Sequence, residues 1–170
     1  MAGMDSLRIM KLPPKSVVPI DTMIGDDEDD NILLGQMSKD AEEYIRSFSW
    51  CGGILRAFFG GGVGGIFAVF LNQITPARAD ISFWIWIVVG DVPSAYLPIE
   101  DAESPTAVFE AYLGGMKKWI ALAREGRTAT PEDGIPQFNV PHTPEWAEKL
   151  ERRVRALGSV RDFLNLSAIP

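Results

Sequence analysis

The side chains in this sequence able to do chemistry are few. There is one histidine, His142, and one cysteine, Cys51. A general base needs a nucleophile or an acid within hydrogen-bond reach and a third group to orient it. The sequence identifies no such companion for either residue. Cys51 sits in an apolar, glycine-flanked stretch, where a thiol behaves as a small buried hydrophobe, and His142 lies in a loop just ahead of Thr143-Pro144. One cysteine excludes an internal disulfide, and with one histidine it leaves too few soft ligands for a closed zinc site. Arg78, Asp91, Glu100 and Asp101 fall at expected strand ends or loops, where carboxylates either cap turns or carry function. Asp91, after Gly90, suits a turn that hydrogen-bonds its own backbone, and is also the best single candidate for a site. The residues therefore predict no catalytic, cofactor-binding or metal-binding set. The alternative is a small enzyme or ligand-binding protein using the loop carboxylates near Asp91.

Two runs imitate known sites. Gly60-Gly61-Gly62-Val63-Gly64-Gly65 satisfies the dinucleotide pattern GxGxxG, but that fingerprint needs a strand before the glycines and a helix after them. Here a helical stretch is expected before and a strand after, so the glycines read as a flexible joint that lets a neighbour approach closely. An EF-hand loop started at Asp27 puts Ile32 where glycine is needed and Ser38 where a bidentate glutamate is needed. The run Asp26-Asp27-Glu28-Asp29-Asp30 reads instead as a solvated acidic segment, or as a docking element for a basic partner.

Charge is concentrated there. From Asp21 to Glu43 nine acidic residues face Lys39 alone, a balance of −8 in a chain whose net charge is −7. An acidic chain without clustered Lys and Arg is unsuited to non-specific nucleic-acid binding. The N-terminal segment has no signal-peptide core, and Pro13, Pro14 and Pro19 interrupt it, so a cytoplasmic location is expected. Gly60 and Gly64 match the helix-pairing pattern GxxxG. The uncharged run Ala57 to Leu71, however, is 15 residues long, short of the roughly 20 that a spanning helix needs.

These features must be held by structural elements. The sequence is 46% hydrophobic and 23% charged, ordinary for a globular domain, which excludes wholesale disorder. Residues 1–37 read as an acidic N-terminal tail or wrapping arm, in which Ser16 to Ile20 could add an edge strand, and 38–170 as a single domain. Ser38 is the expected cap of a first helix with Ala41, Tyr44, Ile45 and Phe48 on one face, fraying at Cys51-Gly52-Gly53. Ile54 to Phe59 reads as a short turn. Gly65 to Leu71, Ile81 to Val89 and Ser94 to Ile99 read as strands of an antiparallel meander. The first two are apolar on both faces, so layers are expected on both sides of the sheet. Trp84 and Trp86, two apart, share one face; they are core, or a partner-binding anchor if that face is open.

Ser104-Pro105 and Thr143-Pro144 each combine an N-cap with proline at the first helical position. Val108, Phe109, Tyr112, Leu113, Met116, Trp119, Ile120 and Ala123 stripe the first of these helices. Gly114-Gly115 inside it suggests a backbone packed closely there, and Gly126 is its natural stop. Trp146, Leu150, Val154 and Leu157 stripe the second, with Lys149, Arg152, Arg153 and Arg155 among its outward charges and Gly158 at its end. A polar connection runs from Arg127 to His142. Val160, Phe163, Leu164 and Leu166 are expected to tie down the C-terminus. The fold class is α+β, a central antiparallel sheet of at least three strands packed by three main helices.

The stretch Phe83-Trp84-Ile85-Trp86-Ile87-Val88-Val89-Gly90-Asp91-Val92-Pro93-Ser94-Ala95-Tyr96-Leu97 resembles a family of small bacterial proteins with a tryptophan-rich strand followed by a Gly-Asp-x-Pro-x-Ala-Tyr turn. Trp50-Cys51, Gly64-Gly65, Asn72 to Asp80, Ser104-Pro105 and Thr143-Pro144 are similar as well, so the resemblance spans Ser38 to Leu164. Some small acidic proteins of this kind look like immunity partners of secreted bacterial toxins. The resemblance thus implies a non-catalytic protein that neutralises a cognate, basic toxin by direct occlusion, and it carries no catalytic residue. The expected contact residues are Asp26, Asp27, Glu28, Asp29 and Asp30 for electrostatic encounter, with Trp84 and Trp86 as apolar anchors.

Overall fold

In a computed structural model, residues 16–128, 130, 138, 140–159 and 161 are described. Five strands form one antiparallel sheet: β1 (Val18–Pro19), β2 (Cys51–Val63), β3 (Phe67–Pro76), β4 (Trp84–Gly90) and β5 (Ala95–Pro98). They lie side by side in chain order, a meander with no crossover. Helix α1 (Glu28–Arg46) covers one face. Helices α2 (Pro105–Arg124) and α3 (Pro144–Ser159) belong to the layer on the other.

The two apolar runs explain this layering. Along β3, Phe67, Val69 and Leu71 enter the core shared with α2 and α3, while Ala68, Phe70 and Ile74 enter the core under α1. Strand β4 repeats the pattern, with Trp84, Trp86 and Val88 on the α2 side and Ile85, Ile87 and Val89 on the α1 side. Alternate residues of a strand point to opposite faces, so both faces must be covered. The α+β fold and its helix-covered central sheet agree with the sequence expectation. All eight stripe residues of α2 are buried, and Ser104 caps the helix by accepting from the Ala107 N–H at 3.1 Å.

Three expectations change. The first helix starts at Glu28, not at Ser38, and runs through the expected boundary between residues 37 and 38; Leu34, Met37, Ala41 and Ile45 are its buried face. Asp27 is its cap, accepting from the Asp30 N–H at 2.8 Å. Acidic side chains in a first turn complement the positive end of the helix dipole, so this run starts a helix instead of staying solvated as a tail. Second, Cys51 to Val63 is a strand, not a frayed helix end, a turn and a flexible joint. A Cβ on Gly62, where φ is +150°, would meet the Phe67 carbonyl oxygen at 2.4 Å, so the glycines let β2 lie tight against β3. On Gly60 a Cβ would meet Pro105 at 2.9 Å, so the close approach expected at the glycines is the start of α2. Third, of the Gly114-Gly115 pair, Gly114 faces open space, with nothing within 4 Å of a Cβ built on it, and only Gly115 is buried. Residues 1–15, most of the 127–142 connection, and Val160, Phe163, Leu164 and Leu166 lie outside the described residues or have no described structure.

Trp84 and Trp86 differ in one respect. The Trp86 indole N–H donates to the Ala102 carbonyl at 2.8 Å, whereas the Trp84 indole N–H is buried with no acceptor among the described residues. Replacing each by Phe leaves a similar void, but only Trp86→Phe strands a buried carbonyl. Trp86→Phe is expected to be more destabilising than Trp84→Phe by about 1–2 kcal/mol, read from urea denaturation of the two variants.

Candidate protein-docking site

The acidic run folds into a corner where the start of α1 meets the tip of the β2–β3 hairpin. Asp30, only 8% exposed, is its centre. One carboxylate oxygen accepts from the Gly64 N–H at 2.6 Å and the other from the Asp26 N–H at 2.8 Å. The Asn31 side-chain oxygen accepts from the Gly25 N–H, and Gly65 N–H donates to the Met37 sulfur at 3.2 Å. A carboxylate that accepts backbone N–H groups replaces the water it loses on burial. Asp30 thus fastens the helix start to the hairpin tip. Of the five acidic residues expected at a docking surface, Asp27 and Asp30 are structural. Asp26, Glu28 and Asp29 remain exposed there.

Large apolar side chains project from the same corner. Ile24 precedes the helix and is 78% exposed; Ile32 and Leu33, in its second turn, are 65% and 46% exposed. Ile66, in the hairpin turn, is exposed too. Ile24 also lines a concavity of about 410 Å³, together with Val18, Asp26, Phe59 and the Gly60-Gly61 backbone among others. Isolated exposed apolar residues are common, but several beside charge make this corner a candidate interaction surface. Sequence reasoning missed these residues. Their signal was a helical one: Ile32 and Leu33 lie off the buried stripe defined by Leu34, Met37, Ala41 and Ile45.

The tryptophan anchors are not available to a partner. Trp84 and Trp86 are 1% and 0% exposed, because α2 closes the sheet face on which they stand. The carboxylates of the alternative reading do not converge. Asp91 follows the Gly90 end of β4, whereas Glu100 accepts from Ser82 beside the Trp84 end. Seven strand residues separate those ends, roughly 20 Å of extended chain. Arg78 pairs with Asp80 beyond the end of β3 that lies beside Trp84. Asp91 does not close a turn on itself: its N–H donates to the Ile66 carbonyl at 3.0 Å and its carboxylate meets Arg153 at 3.4 Å. The His142 ring lies tilted against Trp119, 5.0 Å between centroids, and accepts from its indole N–H at 3.0 Å, in the layer of α2, while Cys51 packs on the core under α1. The sheet separates the two. Burial raises the Tyr44 phenol to about 12, with Tyr96 adding to the shift, and raises Tyr112 as well. Tyr44 is partly buried against the core under α1, and Tyr112 is a core phenol that donates to the Pro93 carbonyl at 2.6 Å. Among the described residues no group of His, Cys, Asp and Glu is placed to hold a metal ion, and no helix is long and apolar enough to cross a membrane.

Comparison of the chain with protein-family models, curated proteins and solved structures finds no match.

The Asp30 clamp can be tested by itself. Asp30→Ala strands two backbone donors and should cost about 1–3 kcal/mol in urea denaturation. Asp27→Ala, which removes the helix cap, should cost about 1 kcal/mol. Glu28→Gln, on the exposed side, should change stability by less than about 0.5 kcal/mol.

Proposed function

We propose that this chain is a non-catalytic binding protein that neutralises a basic, secreted bacterial toxin by covering it. The observation that carries the proposal is the corner described above, where exposed Ile24, Ile32, Leu33 and Ile66 stand among Asp26, Glu28 and Asp29 on a rigid frame. Long-range attraction between opposite charges speeds encounter, and desolvation of apolar side chains then holds the complex. A toxin whose own target is anionic presents the basic surface that such a corner attracts. The resemblance of Phe83 to Leu97 to immunity-like proteins supports the same reading. An enzyme built on Asp91, Glu100, Asp101 and Arg78 is less favoured, because Asp91 stands at the opposite end of β4 from Glu100 and Arg78.

The two contributions separate in kinetics. The triple variant Asp26→Asn, Glu28→Gln, Asp29→Asn spares the structural Asp27 and Asp30. Against the toxin encoded beside this gene, it should associate roughly tenfold more slowly at low salt and lose most of its salt dependence. The pair Ile24→Ser and Ile32→Ser should mainly raise the dissociation rate. Association rates unchanged by the triple variant would remove the acidic residues from the mechanism. Absence of binding and of protection in cells expressing that toxin would overturn the reading as a whole.

A further inference from the structure

On the other face of the sheet, helix α3 divides its charges between two sides. Glu148 and Glu151 turn towards Arg124 of α2, and Arg155 joins Glu151 at 3.4 Å. Lys149, Arg152 and Arg153 instead line a cleft of about 560 Å³ between α3 and the segment Gly90 to Pro93. Cavities of this size suit small-molecule ligands. Asp91 is the only acid among the described lining residues, and it is already committed to Arg153. The Arg153 Nε lies 3.4 Å from its carboxylate and donates to its carbonyl oxygen at 3.2 Å. Arg152 makes no ion pair among the described residues, and the Lys149 ammonium sits 4.6 Å from the centre of the Trp146 ring. Two positive charges therefore stand in a concavity without a carboxylate partner among the described residues, on a chain of net charge −7.

The rest of the lining is apolar. Val92, Pro93, Val140 and Leu150 contribute, and Trp146, expected to be buried, is only partly so and presents its ring to the cleft. The wall is held in place from behind, since the Tyr112 hydroxyl donates to the Pro93 carbonyl at 2.6 Å. We infer that this cleft binds a small amphipathic organic anion, with a carboxylate, sulfonate or phosphate head held by Lys149 and Arg152 and an apolar body laid against Trp146, Pro93 and Leu150. Charge-assisted hydrogen bonds to the head select an anion, and the aromatic and aliphatic wall selects a flat or branched apolar body. The inference stands on the cleft alone and does not need the toxin partner.

The test uses two probes with the same rings. 8-Anilinonaphthalene-1-sulfonate carries an anionic head, and N-phenyl-1-naphthylamine lacks it. Fluorescence titration of the full chain should show one site that binds the sulfonate at least roughly tenfold more tightly than the neutral compound. The double variant Lys149→Gln, Arg152→Gln alters only exposed side chains. It should lose that preference while binding the neutral probe as before, with an unchanged melting midpoint. Trp146→Ala should weaken both probes. In an NMR titration, the sulfonate should shift the Trp146 indole N–H and the Val92 amide. Equal affinity for the two probes, full sulfonate binding by the double variant, or shifts confined to residues outside the cleft would overturn the inference.

Discussion

Strands β3 and β4 set the terms for everything else in this fold. Each carries large apolar side chains on both faces, so neither face can meet water, and the sheet is stable only when helices cover both sides. Roughly 25 cal/mol is gained for each Å² of apolar surface removed from water, and Trp84, Trp86, Phe67 and Phe70 are among its largest fully buried side chains. The helices answer with matching stripes: α1 offers a narrow one, α2 a broad one that includes Tyr112 and Trp119. Helix α3 packs against α2, and its Lys149 and Arg153 reach the loop after β4. Both surfaces with a functional reading are consequences of this stack, since the start of α1 and the side of α3 meet the same end of the sheet.

That end is organised by the hairpin turn between β2 and β3. On one side the turn receives Asp30 through the Gly64 N–H; on the other, the Ile66 carbonyl accepts from the Asp91 N–H. One short turn thus braces the acidic corner and the loop that walls the basic cleft. The two surfaces have opposite charge and face opposite sides of the sheet. An acidic chain can in this way keep a locally positive cleft: its net negative charge is concentrated on α1 and the segment before it, behind the layer of buried strands.

Much of the architecture is legible in the sequence because the signals are local. Continuous apolar runs mark β3 and β4, Ser104-Pro105 and Thr143-Pro144 mark two helix starts, and stripes at helical spacing mark buried faces. The start of α1 was hidden for a physical reason. Like charges in succession read as mutual repulsion, whereas here Asp27 caps the helix and Asp30 is buried by accepting two backbone N–H groups, one of them 34 residues away. Strand β2 was hidden because glycine scores poorly in any regular element; its value appears only when the β3 backbone and Pro105 come within van der Waals distance. The residues of the two candidate surfaces were the least legible. Trp84 and Trp86 look like anchors until α2 is placed over them, and the basic residues of α3 look like an undivided charge ladder until Glu148 and Glu151 are drawn to Arg124.

The chain-order sheet also bears on how the molecule assembles. From β2 to β5 each strand pairs with its neighbour across a short connection and loses little chain entropy, whereas the β1–β2 pairing must enclose α1. Such a sheet can zip from one hairpin to the next, the β3–β4 pair being the natural nucleus because it brings the largest side chains together. The contacts that span long stretches of chain are the later ones, such as Asp30 with Gly64 and Arg153 with Asp91, 62 residues apart. Contact order of this kind favours early sheet formation and places the docking of α1 and α3 last. The surfaces to which a function is ascribed are thus the last to be completed, and a chain that has paired its strands without docking these two helices would possess the sheet but neither surface.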